Sequence, residues 1–323
     1  MKVVTVGTSK VCECLIDAFK KTDIEVFACV GRDSVRTKEF ASKNGINYHA
    51  NDFEQVIRSN VFDTIYLAIP NSLHYEYAKM ALENGKNVIC EKPLASNLKE
   101  AKELVSLASK NKLFLFDAIT TLHGLAYKQL KDDIKSIGKI KTVDVTYCCL
   151  SSKYERFLEG EEITNLSYKY CGGSLMDLGV YNISFITGLF GLPKAVKYYP
   201  NMQKNVDTSG IAILKYDDML VTSVCGKDAT GENGFIIRGE KGYIVCHNVN
   251  SDFSEYEICL NDGIKKMRSY KTNGKYVDEL NDFKSIFEYR NYQKANEYLT
   301  NSLMCLKVLD ELRKSCGIVF AND

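Results

Sequence analysis

Over its first 118 residues the chain alternates short apolar runs with helix-period segments, joined by connections of only a few residues. Lys2–Gly7, Glu25–Val30, Thr64–Ala68, Asn87–Cys90 and Leu113–Asp117 read as strands. Between them Val11–Lys20, Val35–Asn44, Asp52–Ser59, Leu73–Asn84 and Leu98–Asn111 read as helices. Asn51 stands before Asp-Phe-Glu, a cap with Glu54 three residues on. Gly45 and Gly85 follow helices where a left-handed residue is wanted. Parallel strands need such crossover helices, and the helices then cover both faces of the sheet. The fold class expected is therefore α/β, with a Rossmann-type parallel-sheet domain over residues 1–118.

After Asp117 the rhythm changes. A helix at Tyr127–Ser136 leads into a strand at Ile140–Leu150, a polar loop through Glu162, and a helix at Ser174–Phe190. From Ala195 to Tyr270 come strands with polar turns such as Tyr216-Asp217-Asp218, a pattern of antiparallel sheets. Helices at Val277–Tyr289 and Lys294–Ser315 close the chain. Residues 119–323 thus read as an α+β domain with a large, mostly antiparallel open sheet, for substrate binding and oligomerisation. Strands such as Ile211–Leu214 and Met219–Cys225 are apolar on both faces. Helices can cover only one, so a homodimer or higher homo-oligomer is expected.

Charge and composition exclude several function classes. Lys and Arg number 42 against 41 Asp and Glu, so no strong field gathers nucleic acid or a membrane surface. The apolar stretch Ile183–Leu192 is too short to span a bilayer and reads as a buried helix. Met1-Lys2-Val3-Val4 runs directly into a strand without signal-peptide architecture, which points to the cytoplasm. The twelve cysteines include no C-x-x-C pair, and His49, His74, His123 and His247 lack zinc-site spacing to them. Reduced, mostly buried thiols and no metal are expected. Neither a G-x-x-x-x-G-K phosphate loop nor a G-x-S-x-G elbow occurs.

The chemistry is placed by the strand ends. The first strand runs into Gly7-Thr8-Ser9-Lys10-Val11-Cys12, where a dinucleotide fingerprint would have glycine at positions 9 and 12. A small residue at position 9 still lets backbone amides approach a pyrophosphate, and the Ser9 hydroxyl can itself donate. The second strand ends in Gly31-Arg32-Asp33, where Asp33 comes too late in the chain to be the acid that would hold an NAD ribose. Arg32 suits a 2′-phosphate, favouring NADP with NAD still possible. Two further strands end in Ala68-Ile69-Pro70-Asn71-Ser72-Leu73-His74 and Cys90-Glu91-Lys92-Pro93-Leu94, at the sheet edge where ligands bind. A lysine stiffened by the following proline and placed beside a cofactor can polarise an oxygen or move a proton.

These two segments, with Gly172-Gly-Ser-Leu-Met-Asp-Leu-Gly-Val-Tyr-Asn182, resemble the two signatures of the glucose–fructose oxidoreductase / inositol dehydrogenase / MocA family, and the resemblance covers almost the whole chain. It implies an active-site lysine at Lys92, a helix-borne aspartate at Asp177, and a proton-transfer tyrosine at Tyr181, where many members have histidine. It implies cofactor contacts from Gly7, Thr8, Ser9, Lys10, Val11, Arg32, Ile69, Pro70, Asn71, His74, Glu91 and Lys92, and a cis bond between Lys92 and Pro93. On an α-helix Asp177 and Tyr181, four apart, share a face. The implied activity is hydride transfer between a nicotinamide and a hydroxyl carbon of a sugar, cyclic polyol or dihydrodiol. A non-catalytic NAD(P)-sensing regulator on the same fold is the alternative. The chain departs from the family at Ser9 and Cys12, and at Ile119-Thr-Thr-Leu-His-Gly124, where many relatives carry an arginine. His123, Tyr154 and Arg156 are candidates to line the substrate pocket.

Overall fold

The computed structural model describes all 323 residues and divides into two compact units. The first holds six strands: β1 (Lys2–Val6), β2 (Glu25–Val30), β3 (Tyr48–Ala50), β4 (Thr64–Leu67), β5 (Asn87–Glu91) and β6 (Leu115–Ala118). Helices α1 (Lys10–Phe19), α2 (Ser34–Asn44), α3 (Phe53–Ile57), α4 (His74–Glu83) and α5 (Leu98–Asn111) connect them. The sheet order is β3-β2-β1-β4-β5-β6, and every pair is parallel. All four residues of β4 are buried, as helices on both faces require. The connections reverse direction between β1 and β4, which makes the carboxyl ends of these strands the place for a ligand.

Local signals account for most of these boundaries. Asp33 and Asn97 cap α2 and α5 through their side chains. Gly45 ends α2 at a φ of 73°, in the left-handed region. The cap expected at Asn51 is instead Asp52, whose carboxylate accepts from Gln55 N at 3.0 Å. Strand β3 has no sequence signal, being three residues long and largely exposed.

The second unit contains α6 (Leu125–Asp133), β7 (Ile140–Cys148), α7 (Tyr154–Leu158), a π-helical turn at Leu175–Gly179, and α8 (Val180–Phe190). Seven strands follow: β8 (Ala195–Gln203), β9 (Val206–Lys215), β10 (Leu220–Gly226), β11 (Gly234–Gly239), β12 (Gly242–Cys246), β13 (Glu255–Leu260) and β14 (Lys265–Ser269). With β7 they form an eight-stranded sheet ordered β14-β13-β12-β11-β7-β10-β9-β8. Its pairs are antiparallel except β7 with β10. Val143, Val145, Ala212, Leu214, Val221 and Ile237 are fully buried on one face, as are Ile183 and Phe185 of α8. The other face is open. There Tyr199 pairs with Ile211, Ile211 with Val224, and Ile213 with Thr222, and Tyr199, Ile211, Ile213 and Leu220 are exposed.

Two helices end the chain, α9 (Lys275–Glu288) and α10 (Tyr292–Ser315). The sequence assigns both to the second domain. Instead Tyr276–Thr300 belongs to the first unit, and the second resumes at Asn301. The cause is aromatic packing: Phe283 stacks on Phe116 at 4.5 Å between ring centroids, and Tyr292 on Phe114 at 4.4 Å. Val277, Leu280, Phe283 and Ile286 form the buried stripe of α9 in that core.

Candidate active site

In the first unit the turn after β1 is built for close approach. Gly7 has a φ of +123°, and a Cβ there would lie 2.3 Å from the Ala68 carbonyl oxygen, so only glycine fits. Ser9 caps α1, its hydroxyl accepting from Cys12 N at 3.4 Å. Cys12 is buried, and its thiol donates to Ala68 O at 3.7 Å. It fills the space that a third glycine would leave, and burial pushes its pKa up, so it stays a thiol. The altered fingerprint therefore keeps a glycine cradle at its first position and a capped helix start, with Thr8 on the turn between and Lys10 and Val11 opening α1.

At the end of β2, Arg32 is exposed. Asp33 is committed to the backbone: its carboxylate accepts from Arg36 N at 2.8 Å, and Thr37 Oγ1 donates to its carbonyl at 2.5 Å. Sequence reasoning missed Arg36. Its guanidinium donates to Thr8 O at 3.3 Å and so ties α2 to the turn after β1. The signal was the helix period, since a first-turn residue of α2 points back toward that turn.

Two further turns lie at the edge of the same sheet. Ile69, Pro70 and Asn71 follow β4 and are half-buried, as are Glu91 and Lys92 at the end of β5. The Lys92–Pro93 bond is cis. His74, expected among the cofactor contacts, is fully buried. One ring nitrogen lies 2.8 Å from Pro93 O and the other 2.9 Å from Ile69 O. Both nitrogens are therefore taken by backbone, and His74 fastens the two turns to each other instead of offering itself to a ligand. Burial lowers its pKa, opposed by the two carbonyls, which favour the protonated ring. Next to Lys92 in the chain, Glu91 Oε1 accepts from the buried Tyr66 hydroxyl at 3.0 Å; burial, then the nearby Glu91 and Glu279 carboxylates, hold this phenol protonated.

In the second unit Asp177 lies in the π turn and Tyr181 in the first turn of α8. The sequence predicts one regular α-helix from Ser174, so the simple i, i+4 geometry of the pair does not apply. π turns within helices recur at functional sites. This one is anchored from afar: Asp207 of β9 is 1% exposed and accepts from Leu175 N at 2.8 Å and Tyr198 OH at 3.0 Å. Gly173, with φ +112°, allows that approach, since a Cβ would lie 2.0 Å from Asp207 Oδ1. Burial pushes the Asp207 carboxyl up to about 6. Asp177 accepts from Asn165 Nδ2 at 3.1 Å and pairs with Lys227. Tyr181 is largely buried, its ring 5.7 Å from that of Tyr147. Neither Asn165 nor Lys227 carries a sequence signal, because their relation to Asp177 is made only by the fold.

The three candidates for the substrate pocket have these surroundings. His123 is buried at 3% exposure, Arg156 is exposed and paired with Glu161, and Tyr154 stacks on Phe157 at 5.9 Å.

Comparison with known proteins places these residues in context. Residues 1–118 match the NAD-binding Rossmann fold of an oxidoreductase family, and residues 127–245 match the GFO/IDH/MocA C-terminal domain. The scyllo-inositol 2-dehydrogenase (NADP(+)) IolU of Bacillus subtilis is 32% identical over 93% of this chain and 92% of its own length. A trans-1,2-dihydrobenzene-1,2-diol dehydrogenase of Xenopus tropicalis is 30% identical over 69% of this chain and 67% of its own. A 3-ketoreductase from Actinomadura kijaniata, solved with NADP and TDP-benzene, superposes with a TM-score of 0.84. It covers 98% of this chain and 97% of its own at 20% identity, a likeness of fold alone.

Proposed function

Because the chain belongs to the Gfo/Idh/MocA oxidoreductase family, we propose that this NAD(P)-dependent oxidoreductase acts on a hydroxyl carbon of a cyclic polyol, sugar or dihydrodiol, with NADP as its cofactor. The observation that carries the reading is the basic end of β2 beside the Gly7 cradle. Asp33 is spent as a helix cap, while the Arg32 and Arg36 guanidiniums remain at that edge. A 2′-phosphate is matched by such planar, charged donors, whereas an NAD ribose would want a carboxylate there. The amides at the start of α1 suit the pyrophosphate, and Thr8, Ser9, Lys10 and Val11 line the approach. Ile69, Pro70, Asn71 and Glu91 support the nicotinamide side. IolU, named for an NADP(+)-dependent inositol dehydrogenase, supports both the cofactor and the substrate class.

When bound, the nicotinamide supplies the hydride acceptor or donor. The chain's own residues handle the proton. Tyr181 takes the hydroxyl proton as the hydride leaves carbon. Lys92 supplies a positive charge that polarises the substrate oxygen, and Asp177 orients the substrate hydroxyls. The open sheet face of the second unit is the proposed interface of a homodimer.

The test is a panel of inositols, sugars and dihydrodiols offered with NADP⁺ and NAD⁺ while nicotinamide absorbance is followed. Turnover of scyllo-inositol or a related polyol, faster with NADP⁺, is expected. Arg32→Ala and Arg36→Ala should each weaken NADP binding roughly ten- to a hundredfold, the worth of one charge-assisted contact. Tight cofactor binding without turnover of any panel member would favour a cofactor-sensing regulator instead.

A further inference from the structure

Lys227 is a lysine that the reaction as described does not use. It is 3% exposed, and lysines are almost never fully buried unless paired. Its backbone is fixed on both sides: the amide donates to Thr208 O at 2.7 Å, and the carbonyl accepts from Ser151 N at 2.9 Å. The ammonium reaches Asp177 Oδ2, the same oxygen that accepts from Asn165. Asp177 in turn is held at its backbone, its amide donating to Gly173 O at 3.0 Å.

Two other carboxylates of this unit, Asp207 and Asp228, have partners of their own. Asp207 accepts from Leu175 N, Tyr198 OH and, at 3.4 Å, Tyr168 OH. Asp228, next in the chain, accepts from the hydroxyls of Thr208 at 2.7 Å and Ser209 at 2.8 Å. The ion pair of Lys227 is with Asp177. An ammonium on a rigid strand end, out of water, is a strong and fixed bias on one carboxylate.

We propose that Lys227 is a positioning residue of the reaction: it keeps Asp177 ionised and aims its carboxylate by occupying Oδ2 together with Asn165. The proposal rests on the assignment of Asp177 to the reaction made above. An opposite charge at this range favours the ionised acid, so removing it should raise the protonation midpoint of Asp177 by about one to three pH units. The ion pair of Lys227 reaches Asp177 and its backbone is bonded to Thr208 and Ser151, so its effect passes through Asp177.

The experiment compares wild type, Lys227→Met, Lys227→Arg, Asp177→Asn and the Lys227→Met/Asp177→Asn double variant. The first measurement needs no turnover. The ¹³C carboxyl resonance of Asp177, assigned by its loss in Asp177→Asn, is titrated in full-length protein. Its midpoint should rise in Lys227→Met and stay low in Lys227→Arg. The second measurement is the pH profile of kcat/KM with scyllo-inositol and NADP⁺. Lys227→Met should lose roughly ten- to a hundredfold and shift its acidic limb upward, Lys227→Arg should recover most of the loss, and NADPH affinity should not change. The double variant should be no worse than Asp177→Asn alone. It leaves no lone buried charge, so it and Lys227→Arg carry the test if Lys227→Met does not fold. Turnover with an unmoved carboxyl midpoint, or additive losses in the double variant, overturns the role of Lys227. A shifted midpoint in a protein that turns over no panel substrate overturns the proposed activity, and the positioning role with it, while the ion pair stands.

Discussion

Asp207 makes stability depend on pH in a direction opposite to that of most carboxylates. Its pKa is pushed up from 3.8 to about 6 by burial, against the pull of the Leu175 amide and the Tyr198 and Tyr168 hydroxyls. A folded-state pKa above the unfolded one means that the native protein holds this proton more tightly. The contribution is therefore greatest below the unfolded value and is lost as pH rises through the window from 3.8 to about 6. A difference of about two units corresponds to about 3 kcal/mol in full, with about 2 kcal/mol of it falling between roughly pH 4 and 7. Asp207→Asn removes the titration. The variant also loses part of the hydrogen bonding to Leu175 N and the two phenols, but that cost does not vary with pH. Urea unfolding followed by circular dichroism, across that range, should show the stability advantage of wild type over Asp207→Asn shrinking as pH rises. A difference that is flat, or that grows with pH, would refute the reasoning, because it would mean that hydrogen bonding and not burial governs this carboxyl.

Three further outcomes follow from other parts of the structure. Gly7→Ala should cost about 1–3 kcal/mol through backbone strain and the close Ala68 carbonyl, and abolish NADPH binding; melting and fluorescence titration check this, and unchanged affinity would count against the cradle. Lys92→Met and Tyr181→Phe should each remove most of kcat, with the double variant little worse than either, as coupled groups behave. Simply additive losses would mean that the two act independently. Ile213→Glu, placing a charge on the open sheet face, should convert a dimer to monomer in light scattering, and a wild-type protein already monomeric at micromolar concentration would dismiss the interface.

How much of this was legible beforehand depended on how local its cause was. The strand Glu25–Val30 and the helix Leu98–Asn111 have the bounds that periodicity and capping predict, because each is decided by side chains within a few residues. The cap beside α3 shifted by one residue because Asn51 and Asp52 are both competent and only the entering backbone chooses between them. Strand β3 was invisible because three residues pairing with β2 carry no period of their own.

The amino-acid sequence by itself determined the alternation that makes the first sheet parallel, the strand ends that carry Gly7, Arg32 and Lys92, and the signature that carries Asp177 and Tyr181. Only the tertiary structure decided what those residues do next to others distant in the chain. It turned His74 inward, with both ring nitrogens on backbone carbonyls. It spent Asp33 on a helix cap and brought Arg36 to Thr8. It returned Tyr276–Thr300 to the first unit and opened a π turn where an α-helix was expected. That turn is held by Asp207 and its aspartate by Lys227, partners 32 and 50 residues further along the chain. Hydrophobic period and capping act over a few residues, but a buried charge takes its partner from whatever the fold brings within hydrogen-bonding distance, and no local pattern encodes that choice.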